Sequence, residues 1–148
     1  MTVSSRMSSL APAFRKLSNC RCGAAAVEFA FVGPIFILML CGIMAYGGYF
    51  WAAHAVQQVA NDAARAALAG LDGAERENLA QGVVSAEIAD YAYLDPAKAS
   101  VTVENLADRM TVAVSYDAAD SVFFSLRHLV PMPPPLIERQ ASVRHGGY

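Results

Sequence analysis

From Phe29 to Ala53 the chain runs for 25 positions without an Asp, Glu, Lys, Arg, His, Asn, Gln, Ser or Thr. A run of this length and composition reads as a transmembrane helix. At a rise of about 1.5 Å per residue it is roughly 37 Å long, more than the roughly 30 Å hydrocarbon core requires, so it can span with some tilt. A cleavable secretory signal needs an apolar region of only about 7 to 15 residues before a small-x-small site. Despite the triplet Ala53-His54-Ala55, the segment is therefore expected to stay as an anchor. The 55% hydrophobic content of the 148-residue chain is concentrated here.

Lys and Arg next to a span are retained on the cytoplasmic side. Residues 1–23 hold Arg6, Arg15, Lys16 and Arg21 and no acid, while the stretch after the span, through Asp72, has one Arg against two Asp. The expected orientation is N-terminus inside and the remainder exported. Residues 24–148 carry 7 basic and 13 acidic groups, a net charge of −6. That balance argues against a nucleic-acid partner.

Cys20 and Cys22 precede the span and Cys41 lies inside it, so the exported part cannot be a disulfide scaffold. Cys20-Arg21-Cys22 lacks a nearby His or a second Cys pair, and no metal is expected there. No apolar region precedes Leu17 to Cys20, which excludes a lipoprotein signal.

Residues 1–23 read as a cytoplasmic leader with at most a weak helix around Pro12 to Leu17. The main helix is expected from Gly23 or Ala24 to about Ala69, with the span assigned to residues 24–53. Pro34 removes one backbone donor and frees a carbonyl one turn earlier, which membrane helices tolerate. Tyr46, Tyr49, Phe50 and Trp51 cluster where the helix meets the outer interface, the level at which amphipathic rings settle. Past His54 the helix becomes two-faced, with Gln57, Gln58, Asn61, Asp62 and Arg65 on one side and Val56, Val59, Ala60, Ala63 and Ala67 on the other.

Gly70 to Gly73 breaks the helix. Asp72 reads as an N-cap, with Glu75 completing a capping-box-like pair, and a second helix is expected to about Tyr93 with a stripe of Leu79, Val83, Val84, Ile88 and Tyr91. Residues 54–93 thus form an amphipathic helical stalk, and 94–148 a small β-rich exported region. Ala99 to Val103 and Met110 to Tyr116 read as a hairpin, the second strand alternating Met110, Val112, Val114 and Tyr116 with smaller or polar residues. Val122 to Val130 fits either a buried helical turn or a strand, Pro131 to Pro135 is a loop, and Leu136 to Arg144 supplies a third strand. The fold class is α+β and membrane-anchored: a long N-terminal transmembrane and amphipathic helix, a second helix and a small antiparallel sheet.

One acid, Glu28, stands at the mouth of the span. At the centre of a bilayer it would cost about 2.5 to 3.5 kcal/mol, and less near an interface. On its own it reads equally as a wet, interfacial acid in the first turn of a helix, favoured by the helix dipole. It is also the fifth residue after Gly23, a glycine that ends a basic leader, and this arrangement resembles the processing site of type IV prepilins. The longer stretch Arg21 to Leu68, with its Ala-Ala-Val-Glu-Phe opening, Pro34 and later Ala-Arg-Ala, resembles the TadE-like family of pilin-like proteins.

The resemblance implies a minor pilin or pseudopilin of the tight-adherence (Tad) pilus, a fibre used for attachment and biofilm formation. It implies cleavage by a prepilin peptidase after Gly23, Ala24 as the new N-terminus with Phe29 following the acid, and a role for Glu28 in recognition and assembly. It also implies insertion in the bacterial inner membrane and partnership with other pilins and the Tad assembly platform. In a fibre packed by apolar helices, the new ammonium of a neighbouring subunit would be a suitable counter-ion for Glu28. Pro34 and the small pair Gly48 and Ala52 would suit subunit packing.

Two other readings stand beside this one. An uncleaved single-pass scaffold of a pilus or secretion machine needs the same anchor, stalk and small domain. An enzyme is disfavoured, because His54, His128 and His145 lie far apart in sequence and no metalloprotease, nucleophile-elbow or phosphate-loop motif occurs. No cofactor is expected.

Overall fold

In the computed structural model the described residues are 21–106 and 108–144, with side chains described from Gly23 onward. The expected leader helix, Cys20 and His145 lie outside them. The chain falls into two compact units, Met1–Met39 and Leu40–Tyr148.

Helix α1 runs from Arg21 to Ala67, 47 residues, and continues through Pro34. In the first unit its described side chains are almost all exposed, including Phe29, Phe31, Ile35 and Ile37. By length and composition it is the one helix among the described residues able to cross a membrane. Past Ala67, Leu68, Ala69 and Gly70 donate to the carbonyls of Arg65, Ala66 and Ala67, tightening the chain as the helix ends.

Helix α2, Gly73–Asp90, begins as its sequence dictates. Asp72 accepts from the Glu75 backbone N–H at 2.8 Å, and the Glu75 carboxylate accepts in return from the Leu71 N–H at 2.8 Å. The return bond therefore reaches one residue further back than the usual capping box. The helix stops at Asp90, short of the expected Tyr93. Tyr91 is already extended, Tyr93 has a φ of 74°, and Asp95 caps a 3-10 turn over Pro96–Lys98. The buried stripe is Ala80, Val84 and Ile88, spaced four apart, while Leu79 stays at the margin with 36% exposure. Val83 and Tyr91 of the expected stripe pack against this core, so only Leu79 departs from it, and the fully buried Ala80 takes its place where the elements approach closely.

Three strands follow: β1 Ala99–Asn105, β2 Arg109–Asp117 and β3 Leu136–Arg144, in antiparallel order β1-β2-β3. Val112 sits between Val103 and Ala141, and Tyr116 between Ala99 and Ile137. Because side chains alternate across a strand, Met110, Val112, Val114 and Tyr116 all face one side, and all are buried. The opposite face carries polar pairs such as Thr111 and Ser142, whose hydroxyls are 2.6 Å apart. The ambiguous segment forms a 3-10 turn, Val122–His128, followed by the proline-rich loop.

One continuous core joins these elements. Ala52, Val56, Val59, Ala60, Ala63 and Ala67 of α1 meet Ala80, Val84 and Ile88 of α2 and the inner face of the sheet. The alanines and valines allow close backbone approach, and the larger Met110, Tyr116 and Ile137 fill the sheet side. The Tyr116 hydroxyl accepts from the Asp95 N–H at 3.2 Å, so its polar end is partnered.

Glycine positions give a test with opposite signs. A Cβ on Gly48 would lie 2.7 Å from the Phe123 Cβ, whereas one on Gly82 would meet nothing within 4 Å. Gly48→Ala is expected to lower thermal stability of the detergent-solubilised chain by about 1 to 3 kcal/mol through overpacking. Gly82→Ala should raise it by up to about 1 kcal/mol through helix propensity. Circular-dichroism melts of the two variants check both signs.

Candidate functional site

The residues singled out at the start of the span share one local frame. Gly23, Ala24, Glu28, Phe29 and Pro34 all lie on α1 and all are exposed. Ala24 and Glu28 are four apart and so lie on one helix face. A Cβ on Gly23 would meet nothing within 4 Å, so its surroundings leave the backbone there open to approach. Phe29 is 75% exposed and its ring lies beside Gly33. Glu28 forms no hydrogen bond or ion pair among the described residues. Among the described residues the carboxylate is thus left to water.

Gly48 and Ala52 are placed differently. Ala52 is fully buried in the core, and the Phe123 ring lies over Gly48. The close approach these small residues permit is taken up within the chain. The same holds for most of the aromatic cluster. The Tyr46 hydroxyl donates to the Pro131 carbonyl at 2.6 Å, Tyr49 meets Phe124 edge-on at 6.4 Å, and Trp51 meets Tyr91 edge-on at 6.1 Å. Phe50 and Trp51 remain exposed, at 62% and 41%. These rings tie the 3-10 turn, the proline-rich loop and the end of α2 to α1, contacts that the sequence pattern does not announce. Their partners lie 40 to 85 residues away in sequence, beyond the reach of any periodicity.

Arg76 had no place in the sequence reading and holds a central one here. Its Nε donates to the Gly70 carbonyl at 3.0 Å, and its Nη1 donates to Asn105 Oδ1 at 2.9 Å. It thereby fastens the α1–α2 turn to the end of β1. Gly70 is required at this turn, since a Cβ there would sit 2.7 Å from the Arg76 backbone nitrogen. The sequence signal was the glycine next to a charged first helical turn, but the partner could not be read.

His54 and His128 are exposed and lie in separate elements, and among the described residues no three metal-ligating side chains of His, Cys, Asp or Glu converge. Cys41 is a half-buried free thiol. Lys98 and Asp120 form a surface ion pair at 2.9 Å, which raises the lysine pKa and lowers that of the aspartate. Burial lifts the Glu87 carboxyl above its ordinary value, with smaller contributions from the negative charges of Asp62 and Asp90.

Residues 23–65 match the family model described as TadE-like protein. The chain carries a TadE-like segment. The match covers 43 of 148 residues, from Gly23 through the amphipathic part of α1, and points to a Tad pilus-related protein. A search of curated proteins and a search of solved structures each return no match. The TadE-like segment thus includes Gly23, Glu28, Pro34, Gly48 and Ala52 and stops before α2.

The Glu87 environment gives a pH prediction. A carboxyl whose pKa is raised by folding contributes stability that is full below its ordinary range and is lost as pH rises past the raised value. Glu87→Gln should therefore stabilise the folded chain at neutral pH, by about 0.3 kcal/mol once solvent screening is allowed for, and give no gain at a pH below the carboxylate range. Urea melts of the two proteins at both pH values check the sign.

Proposed function

We propose that the chain is a TadE-like minor pilin or pseudopilin of the Tad pilus. It inserts in the bacterial inner membrane as a single-pass protein, with residues 1–23 in the cytoplasm and the α2 and sheet region exported. A prepilin peptidase cuts after Gly23, leaving Ala24 as the N-terminus. Other pilins and the Tad assembly platform are its protein partners, and adhesion and biofilm formation are the processes it serves.

The observation that carries this reading is the TadE-like match, which begins at residue 23, where the basic leader meets the apolar helix. Exposure of Gly23 and Ala24 supports it, because a peptidase must reach the bond between them. Glu28, exposed and without a partner among the described residues, supports it too. In the cleaved chain the Ala24 ammonium of one subunit and the Glu28 carboxylate of another can pair, and their attraction strengthens as both leave water. Phe29 and Pro34, both exposed, are available to the same packing.

The intact mass of the protein recovered from membranes of a host with its own prepilin peptidase tests the proposal. Loss of residues 1–23 is the expected result. A full-length chain would favour the uncleaved scaffold, and a product starting near Ala55 would mark the segment as a secretory signal. Gly23→Val should block processing by crowding the scissile bond, and Glu28→Ala should leave a processed chain that fails to enter sheared fibres. Normal assembly of both variants would remove the role given to these residues.

A further inference from the structure

Beside α1 in the second unit lies an apolar groove of about 530 Å³, lined by Met44, Gly48, Trp51, Tyr93, Phe123 and Leu126. Two of its lining side chains are largely exposed, Val122 at 75% and Tyr93 at 83%, and Leu129, three residues beyond Leu126, is 61% exposed. Tyr93 holds its exposed ring from a backbone with φ 74°, a conformation that bulky side chains rarely adopt. A strained, exposed aromatic on the edge of an apolar groove calls for an occupant.

The height of this groove along α1 indicates what the occupant is. Residues 24–43 are 20 positions, about 30 Å of helix, which is the thickness of a hydrocarbon core. The exposed apolar surface of Leu40, Ile43 and Met44 runs without interruption into the groove. The 3-10 turn and its loop lie along the same stretch of helix: Val130 is next to Gly42, the Pro131 carbonyl is bonded to Tyr46, and Phe123 is against Gly48. These residues therefore lie where a spanning α1 leaves the acyl region. Trp51 and Tyr93 have the amphipathic rings suited to that level, and the exposed Arg127 and His128 follow Leu126 directly. The nearby acid, Asp120, is already paired with Lys98.

We propose that the groove and its rim, from Val122 to Leu129 with Tyr93 and Trp51, form a second membrane contact that rests in the outer leaflet at the boundary of headgroups and acyl chains. This rests on the reading of α1 as a membrane anchor. The span then ends near Ile43, ten residues before the apolar run does, and residues 44–53 serve the exported domain and its lipid seat. The arrangement fixes the domain against the bilayer by two points, the helix and the turn.

Trp51 is the only tryptophan, which makes single-tryptophan reporters available. The full chain with Trp51→Phe and Val122→Trp is reconstituted in phosphatidylcholine vesicles, and a second reporter carries Trp51→Phe with Leu129→Trp in case the first does not fold. Emission should be quenched more strongly by lipids brominated high on the acyl chain than by lipids brominated near its methyl end, and iodide should quench it less than in detergent-free urea. Vesicle flotation is measured on the same samples. Co-flotation with iodide-accessible reporters that bromolipids leave unquenched would overturn the lipid seat and leave the anchor standing. Failure to float would overturn both. Reporters shielded from iodide and bromolipid alike, with shielding that grows at higher protein-to-lipid ratio, would mean that a second copy fills the groove and would likewise overturn the proposal.

Discussion

Packing of the small-residue face of α1, Ala52, Val56, Ala60, Ala63 and Ala67, against α2 and the sheet is the contact on which the second unit depends. A three-stranded sheet with one polar face and an 18-residue helix have too little apolar surface to close a core by themselves. The missing wall is α1. Alanine is suited to that task, because a helix studded with small side chains lets α2 and the strands approach its backbone while it remains a strong helix former. The same element is therefore asked to be apolar all round at one end and apolar on one face at the other, and its sequence changes character accordingly near His54.

That shared helix explains which parts of the structure were legible in the sequence. Helix α1, the Asp72 cap, the alternation of β2 and the third strand each carry a local signal: a continuous apolar run, a side chain able to accept from a backbone three residues on, a period of two. All of these appear in the structure, the cap and the third strand where expected and the others with ends shifted by one to three residues. What could not be read are contacts between distant segments. The sequence gives no sign that the Tyr46 hydroxyl bonds the Pro131 carbonyl or that Phe123 covers Gly48. Composition gives the type of contact that such residues favour and leaves the partner open.

The candidate site divides along the same line. Gly23, Ala24 and Glu28 are identified by spacing along a single helix, and spacing is preserved whatever the rest of the chain does. Gly48 and Ala52 were assigned by type alone, and the fold uses both within the second unit. Arg76 carries no local signal, since a charged residue in a helix is ordinarily a solvated one. It matters only because the turn at Gly70 presents a carbonyl on one side and β1 presents Asn105 on the other.

Glu28 remains the one charged group that the apolar half of α1 carries without a partner among the described residues. In a monomer whose helix starts at a membrane interface this is sustainable, since water can reach the carboxylate there. If the helix leaves the bilayer to pack among other apolar helices, that water is lost and the unpaired charge becomes costly. A carboxylate in this position therefore favours assemblies that deliver a cation to the same depth, and disfavours any register that does not. In such an assembly Glu28 would bear less on the stability of the single chain than on how chains stack, since fixing register is the best-attested use of a buried charge.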